Sequence, residues 1–398
     1  MNVLFLGGVF TDSLVRQVLV DTLSPVQNAA DNLQKNYIQG LKESQRVENV
    51  TVINLPFVGS YPFLYKKMLF TADLKVESLK GVKVVNLSFF NFLFLKNFFR
   101  IYKSLTAILA EVKKNREQKN YLFCYSMHLP FLIACYMAKL INPSITVCII
   151  VPDLPEFMAA RKGFSAFVFG IFSKISYAIV NRADLCVLLT EHMKNSFSDE
   201  LPSVVIDGIA DERFISQIEE HDTLNYFLYT GTLDSRYGIR DLIQSYIDSG
   251  VVDHELHICG DGSEREYVER VAADFPNIKY FGQMPREQAL AKQHKAKLLV
   301  NPRNNNSEYT KYSFPSKVIE YMSSGVPVLM YKLDGISTEY YEFVYTIPNV
   351  DGGMASCFSY IALLESSELK KKGADAKQFI LNNKMPLQQV EKILHYLA

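Results

Sequence analysis

The chain predicts an α/β protein with two doubly wound, mostly parallel sheet domains facing each other across a cleft. Short apolar runs alternate with stretches of helical periodicity, the pattern of strands joined by crossover helices. This alternation stops in a polar run at residues 210–223 and then starts again, which divides the chain into domains at 1–207 and 208–398. With 398 residues and 48% hydrophobic content, there is apolar material for two cores.

In the first half, residues 3–6 read as an all-apolar strand ending in Gly7 and Gly8, where backbone can approach a ligand at a strand's carboxyl end. Residues 11–25 read as an insertion or mobile loop, and 27–41 as a helix through the spacing of Ala30, Leu33, Tyr37 and Leu41. Strands are expected at 50–55 and 82–87, then a helix over 89–114 whose first half carries Phe and Leu on nearly every side. Strand 121–125 leads through His128 into a helix at 130–141, and strand 146–151 ends in a loop holding Asp153 and Glu156. Strand 183–189 follows, with Thr190 opening a helix.

In the second half, strands at 226–229, 256–259, 278–281, 298–301 and 326–330 alternate with helices at 239–249, 264–275 and 287–295. Gly231, and the pair Gly260 and Gly262, fall at strand ends. Residues 308–328 form a polar loop that runs through Pro315 into a short helix stopped near Gly325. Ser313, Ser316 and Lys317 crowd the positive end of that helix, which suits a phosphate, and Glu320 is placed to accept paired ribose hydroxyls. A buried helix with a snorkelling lysine and a rim glutamate is the competing account. Residues 386–397 close the chain with an amphipathic helix, assigned to the second domain.

The formal net charge of +0 argues against a general nucleic-acid binder. The balance conceals an asymmetry: residues 1–205 hold 22 Lys and Arg against 15 Asp and Glu, and the remainder holds 20 against 27. Surface variation explains this, and so does a first domain that rests peripherally on an anionic membrane face. Six scattered cysteines without CxxC spacing read as buried thiols of a cytoplasmic protein. The N-terminal segment reads as a strand rather than an export signal, and polar residues interrupt the most apolar segments before they reach bilayer length. No cluster has metal-ligand spacing, and there is no Gly-x4-Gly-Lys-Ser/Thr phosphate loop.

Taken in order, YTGTLDSRYGIRDLI, LHICGDGSEREYVE, IKYFGQMPREQ and SFPSKVIEYMSSGVPVL resemble the retaining, nucleotide-sugar-dependent glycosyltransferases of family 4, which have the GT-B fold. The first half resembles them more loosely, through CYSMHLPFLIA, the VPDLPE loop and RADLCVLLTEHMKNSF. Within the family, the chain is most similar to bacterial surface-polysaccharide transferases. The resemblance implies a nucleotide-diphosphate sugar as donor, a saccharide or lipid-linked saccharide as acceptor, no cofactor and no required metal.

By the same resemblance, Glu320 is the second member of the family's Glu-x7-Glu pair, and Tyr312 stands where the first would be. Thr232 and, approximately, Tyr237 occupy the positions of the Arg and Lys that usually hold the leaving diphosphate. Arg236 and Lys317 are the nearby cations expected to compensate, because charge developing on that group must meet a prearranged donor. Gln283 and Met284 match the loop that reads the base. Gly8, Gly231, Gly260, Gly262, Ser313, Phe314, Pro315 and Ser316 complete the donor set. His128 matches the family's histidine near sugar and acceptor, with Asp153 and Glu156 on the acceptor side; capping or turn roles account for these two acids equally well. A nucleotide-sugar epimerase of the same fold and a non-catalytic nucleotide-binding scaffold are the rival readings. A periplasmic solute-binding protein is disfavoured by the lack of an export signal.

Overall fold

The computed structural model describes residues 1–24, 26–72, 75–93, 95–158, 163–215 and 224–397, so residues 216–223 of the expected linker lie outside the described residues. It divides into two compact units: Met1–Ile209 with Pro386–Ala398, and Ala210–Met385.

The strands of the first unit are β1 (Asn2–Gly7), β2 (Asn49–Asn54), β3 (Leu69–Phe70), β4 (Val76–Leu79), β5 (Val82–Asn86), β6 (Phe89–Phe90), β7 (Asn120–Tyr125), β8 (Thr146–Val151), β9 (Leu185–Leu188) and β10 (Ser203–Val205). Eight of them form one sheet in the order β10-β9-β8-β7-β1-β2-β5-β4, while β3 and β6 make a separate ribbon. Only β4 runs antiparallel in the large sheet. β1 and β7 are buried along their whole length, as strands covered on both faces must be. Val3 lies in register with Val50 on one side and Tyr121 on the other. Strand order therefore reverses between β1 and β7, which places a ligand crevice beyond their carboxyl ends.

Three expectations change. The stretch 11–25, expected as a loop, contains the helix Asp12–Asp21, which buries Leu14 and Val18 one turn apart and holds Asp21 against Lys67 at 2.8 Å. Val15, Leu19 and Val20 are apolar as well but exposed, which blurs the one-sided stripe that marks a helix in sequence. The helix expected from residue 89 is Leu95–Lys114, because Phe89 and Phe90 pair instead with Phe70 and Leu69. The terminal helix Pro386–Leu397 belongs to the first unit, not the second: Val390, Ile393, Leu394 and Leu397 enter the core containing Tyr37, Ile38 and Leu41. The backbones meet at Gly40, where a Cβ would lie 2.3 Å from the Pro386 carbonyl oxygen.

The second unit carries β11 (Tyr226–Thr230), β12 (Glu255–Cys259), β13 (Ile278–Tyr280), β14 (Leu298–Asn301), β15 (Val328–Tyr331) and β16 (Tyr345–Ile347). They form one sheet in the order β13-β12-β11-β14-β15-β16, every neighbouring pair parallel. The order reverses between β11 and β14. Phe227, Leu242, Leu256, Val300 and Phe358 belong to its core. Both units are thus Rossmann-like, and the fold is GT-B.

Gly40→Ala separates two opposing effects. Helix propensity alone would stabilise the variant by about 1 kcal/mol, whereas overpacking against Pro386 costs about 1–3 kcal/mol. We expect the packing cost to win, giving a lower urea midpoint; an unchanged or higher midpoint would show that the two helices are not locked at this glycine.

Candidate functional site

In the second unit the site is built around the helix Ser316–Ser323. Pro315 occupies its N-cap with φ −74° and ψ 105°, and no side chain caps the first turn. Val318 N turns back to the Pro315 carbonyl at 2.9 Å, and the amides of Ser316 and Lys317 keep their capacity to donate to an anion. Ser316 is exposed, Pro315 is half-buried, and Phe314 is buried against the Tyr340 ring. Glu320 lies one turn in and is held tightly. Lys317 Nζ donates to its Oε1 at 2.9 Å, and the buried Gln293 amide donates to the same oxygen at 2.8 Å. Gln293 also donates to Thr230 Oγ1 at 2.9 Å, and Tyr321 OH clamps the backbone of Thr230 from the other side. This network ties the end of β11 to the helix. Both bonds to Glu320 go to Oε1; among the described residues none reaches Oε2, which leaves acceptor capacity on that oxygen.

The two cations nominated from sequence are both ion-paired. Lys317 is engaged with Glu320. Arg236 grips Asp234 through two parallel bonds of 2.9 and 2.8 Å, with its side chain 76% exposed. The hydrogen bonds from Arg236 hold the Asp234 carboxyl down at about 2, and the same pairing raises the guanidinium above its ordinary value.

The cation missing from the sequence reading is Arg303, two residues beyond β14. It is 5% exposed, and no carboxylate pairs with it among the described residues. Its Nη1 donates to Ser313 Oγ at 3.3 Å, and its Nη2 is buried without a hydrogen-bond partner. The guanidinium lies 5.9 Å from the centre of the Tyr237 ring and 5.2 Å from that of Tyr309. Burial lowers its pKa below the ordinary arginine value. Nothing in the local sequence marks it, because Tyr237 comes from the loop after β11, and Tyr309 and Ser313 from six and ten residues further along its own loop.

The glycines after β12 make room for the loop that follows β11. A Cβ on Gly260, whose φ is +143°, would lie 1.8 Å from the Gly231 carbonyl oxygen. A Cβ on Gly262 would lie 2.3 Å from the Leu233 carbonyl oxygen. Backbone bonds Gly231 N to Cys259 O and Leu233 N to Asp261 O, of 2.9 and 3.0 Å, zip the two loops together. The carbonyl of Thr232 accepts from Tyr229 OH at 2.8 Å. Gln283 is exposed and Met284 half-buried in the loop after β13, which Gly260 N anchors through the Gly282 carbonyl at 2.8 Å. Tyr312 is half-buried at the end of the 3-10 turn Glu308–Tyr312, and Glu308 is exposed at its start.

In the first unit the candidates gather beyond β1 and β7. Gly8 N donates to Gln34 Oε1, Val9 N to Asn54 Oδ1 and Phe10 N to Asp31 Oδ1, at 2.8, 2.8 and 2.7 Å. Three successive amides that would suit an anion are thus spent on internal side chains, and a Cβ on Gly8 would meet the Phe57 ring at 2.7 Å. His128 is the N-cap residue of the helix Leu129–Ile141, and its ring packs edge-on against Phe57 and Phe131. Its Nδ1 is buried without a partner.

Burial, then Arg100, then Lys96, push the pKa of His128 well below its ordinary value. Both cations are buried on the helix Leu95–Lys114, where Arg100 donates to the Pro56 carbonyl and Lys96 to the Val58 carbonyl. Arg100 also lies 4.6 Å from the centre of the Phe89 ring. Asp153 is exposed, although surrounding protein desolvates it enough to push its carboxyl up to about 6; with solvent access it stays ionised at neutral pH. Glu156 lies in the short helix Pro155–Met158 rather than a loop, and accepts from Tyr177 OH at 2.8 and 2.9 Å. Among the described residues, no group of three or more His, Cys, Asp or Glu gathers in a metal-binding arrangement.

Residues 211–343, which include every donor-side candidate of the second unit, match the family model Glycosyl transferases group 1. No curated protein sequence matches the chain significantly. Among solved structures, the chain resembles sucrose-phosphate synthase from Thermosynechococcus elongatus at 15% identity and TM-score 0.62, covering 100% of this chain and 99% of that one. It resembles the apo form of the lipopolysaccharide outer core galactosyltransferase WaaB at 14% identity and TM-score 0.55, with coverage of 100% and 99%. It also resembles Anabaena HepE, solved in complex with UDP, at 14% identity and TM-score 0.56, again with coverage of 100% and 99%. At such identities the likeness is one of fold. The domain match and the shared fold together support a glycosyltransferase.

The buried cations of the first unit predict a pH dependence with a definite sign. Below the ordinary histidine value of 6.5 the unfolded chain protonates at His128 while the folded chain resists, so stability falls as pH falls. Lys96 is lowered from 10.5 to about 7, so across that window the unfolded chain holds a proton the folded chain has released, and stability rises with pH. Urea midpoints measured from pH 5 to about pH 10 should show His128→Gln flattening the acidic limb and Lys96→Met the alkaline limb. Curves parallel to the wild type in both variants would contradict the assignment.

Proposed function

We propose that the protein is a retaining glycosyltransferase of the family 4 type. It moves a sugar from a nucleotide-diphosphate donor held by the second unit to a saccharide or lipid-linked saccharide recognised by the first. The observation carrying this is Glu320, fixed by Gln293 and Lys317 on the uncapped helix Ser316–Ser323, within the region matched by the family model. Glu320 Oε2 accepts the ribose hydroxyls, while the helix N-terminus and Lys317 meet the diphosphate. In the reaction the bond from the anomeric carbon to the phosphate oxygen breaks, with its electrons going to that oxygen. The acceptor oxygen attacks the same face, and its proton passes to the departing phosphate. No protein nucleophile and no metal are needed for these steps. HepE in complex with UDP supports a uridine nucleotide, and the likeness to WaaB, a lipopolysaccharide outer core galactosyltransferase, supports a role in surface-polysaccharide synthesis.

A panel of nucleotide sugars, read first by thermal shift and then by product formation, tests this reading. Lys317→Ala is expected to lower kcat by about 100-fold with a smaller change in UDP affinity. Glu320→Gln is expected mainly to weaken UDP binding, by roughly tenfold. Unchanged kinetics and binding in both variants would defeat the assignment. Donor binding with no turnover on any acceptor would favour the scaffold reading instead, and donor conversion without acceptor would reveal an epimerase.

A peripheral membrane contact through the first unit is part of the proposal. No helix among the described residues is long and apolar enough to cross a bilayer. Leu95, Phe98 and Tyr102 are exposed on one helix, and Phe167, Ile171 and Ile175 at one-turn spacing on Phe164–Val180, with Lys103 and Lys174 exposed beside them. Sedimentation with phosphatidylglycerol vesicles should show binding that weakens with salt and with Phe98→Ser or Phe167→Ser. No binding at low salt would remove the membrane from the proposal.

A further inference from the structure

Resting on the donor-site reading above, we propose that Arg303 is the positioning residue for the donor diphosphate. It acts through Ser313 and supplies the positive charge that Thr232 and Tyr237 do not. Strand order in the second unit reverses between β11 and β14, and a ligand in an open parallel sheet binds beyond the carboxyl ends of the strands at that reversal. Arg303 follows β14 by two residues. The loop after β11 reaches it, with the Tyr237 ring 5.9 Å from the guanidinium. That loop is packed tightly here: a Cβ on Gly238, whose φ is +78°, would lie 2.3 Å from the Pro302 carbonyl oxygen. From the other side, Ser313, three residues before the helix Ser316–Ser323, accepts from Arg303 Nη1 at 3.3 Å. The guanidinium therefore lies between the two segments expected to hold the diphosphate.

Arg236 and Lys317 are each engaged by a carboxylate. Arg303 has none among the described residues, and its Nη2 is buried without a partner. An uncompensated buried charge is costly, and a residue of purely structural purpose would gain by pairing. A diphosphate bound beside it would compensate the charge. A hydroxyl that accepts from a guanidinium at its oxygen retains its own proton for donation, so Arg303 leaves Ser313 as a donor toward an anion. Arg303 is as covered as Ser313, at 5% and 6% exposure, and its effect is assigned to the hydroxyl it holds and to its field.

The test uses the full chain with UDP, inorganic pyrophosphate and uridine as probes in calorimetric titrations, together with thermal midpoints of each variant. Arg303→Gln should weaken UDP and pyrophosphate by about tenfold or more while leaving uridine unchanged, and Arg303→Lys should recover part of the loss. Because Arg303 acts through Ser313, the losses in Arg303→Gln and Ser313→Ala should overlap in the double variant rather than multiply. UDP affinity within about twofold of wild type, an equal loss for uridine, or fully multiplicative losses would overturn the role of Arg303. If Arg303→Gln fails to fold, Arg303→Lys and Ser313→Ala carry the same comparison. A wild-type chain that binds neither UDP nor pyrophosphate, nor GDP and ADP tested alongside, would overturn the donor-site reading itself. That outcome is distinct from a wild type that binds and a variant that binds equally well.

Discussion

The second unit depends on how the carboxylate of Glu320 is held. A lone acid on a short helix rotates freely and offers no fixed geometry to a ligand. Here Gln293, buried on another helix, fixes one oxygen and reaches on to Thr230, while Tyr321, the residue after Glu320, clamps the backbone of Thr230. The end of β11, the helix Arg286–Lys295 and the helix Ser316–Ser323 are thereby joined through hydrogen bonds that are buried or partly buried. Such bonds hold position well, because breaking one leaves a polar group without water to replace its partner. The buried Gln293 Oε1, which has no partner, shows that the network is tuned to its donors rather than fully satisfied.

The glycines show how one sequence signal can serve two physical purposes. A glycine at a strand end permits backbone to come close, but does not say to what. Beyond β11 and β12 the approaching group is another loop of the same unit: Gly260 and Gly262 make room for the carbonyls of Gly231 and Leu233. Beyond β1, the amide of Gly8 is already taken by Gln34. These glycines shape the rims of the candidate sites through internal packing, and the donor groups with spare capacity lie elsewhere, at the uncapped turn that follows Pro315.

The fold was legible because its signal is repetitive. Each buried parallel strand is a continuous apolar run, and each crossover helix restates a period. What stayed illegible was non-repetitive or long-range. Asp12–Asp21 exposes three of its five apolar residues, so no one-sided stripe stands out. The capacity of Phe89 and Phe90 to pair with Phe70 and Leu69 depends on a partner some twenty residues away. The terminal helix shows its amphipathic face plainly, but an apolar stripe does not name the core it joins, and Gly40 is what admits it to the first unit. At the candidate site, Glu320 and the loop around Ser313 were readable from local order. Arg303 was not, since an arginine after a strand has no distinguishing neighbours until the fold brings Tyr237, Tyr309 and Ser313 around it.

The two units also share a feature that neither sequence half advertises. Near the reversal of strand order, each buries a guanidinium with no carboxylate partner among the described residues: Arg100 in the first and Arg303 in the second. Arg100 is satisfied in part by the Pro56 carbonyl and by the face of Phe89, and Arg303 by the Ser313 hydroxyl and two tyrosine rings. Carbonyls, hydroxyls and ring faces steady a cation without cancelling its charge, whereas a carboxylate would cancel it. A fold seeking only stability would choose the carboxylate or remove the cation. Retaining a net positive field at both places lowers the cost of bringing an anionic group to either. In the first unit burial, reinforced by the same field, holds His128 neutral, which leaves its imidazole a hydrogen-bonding group rather than a charge.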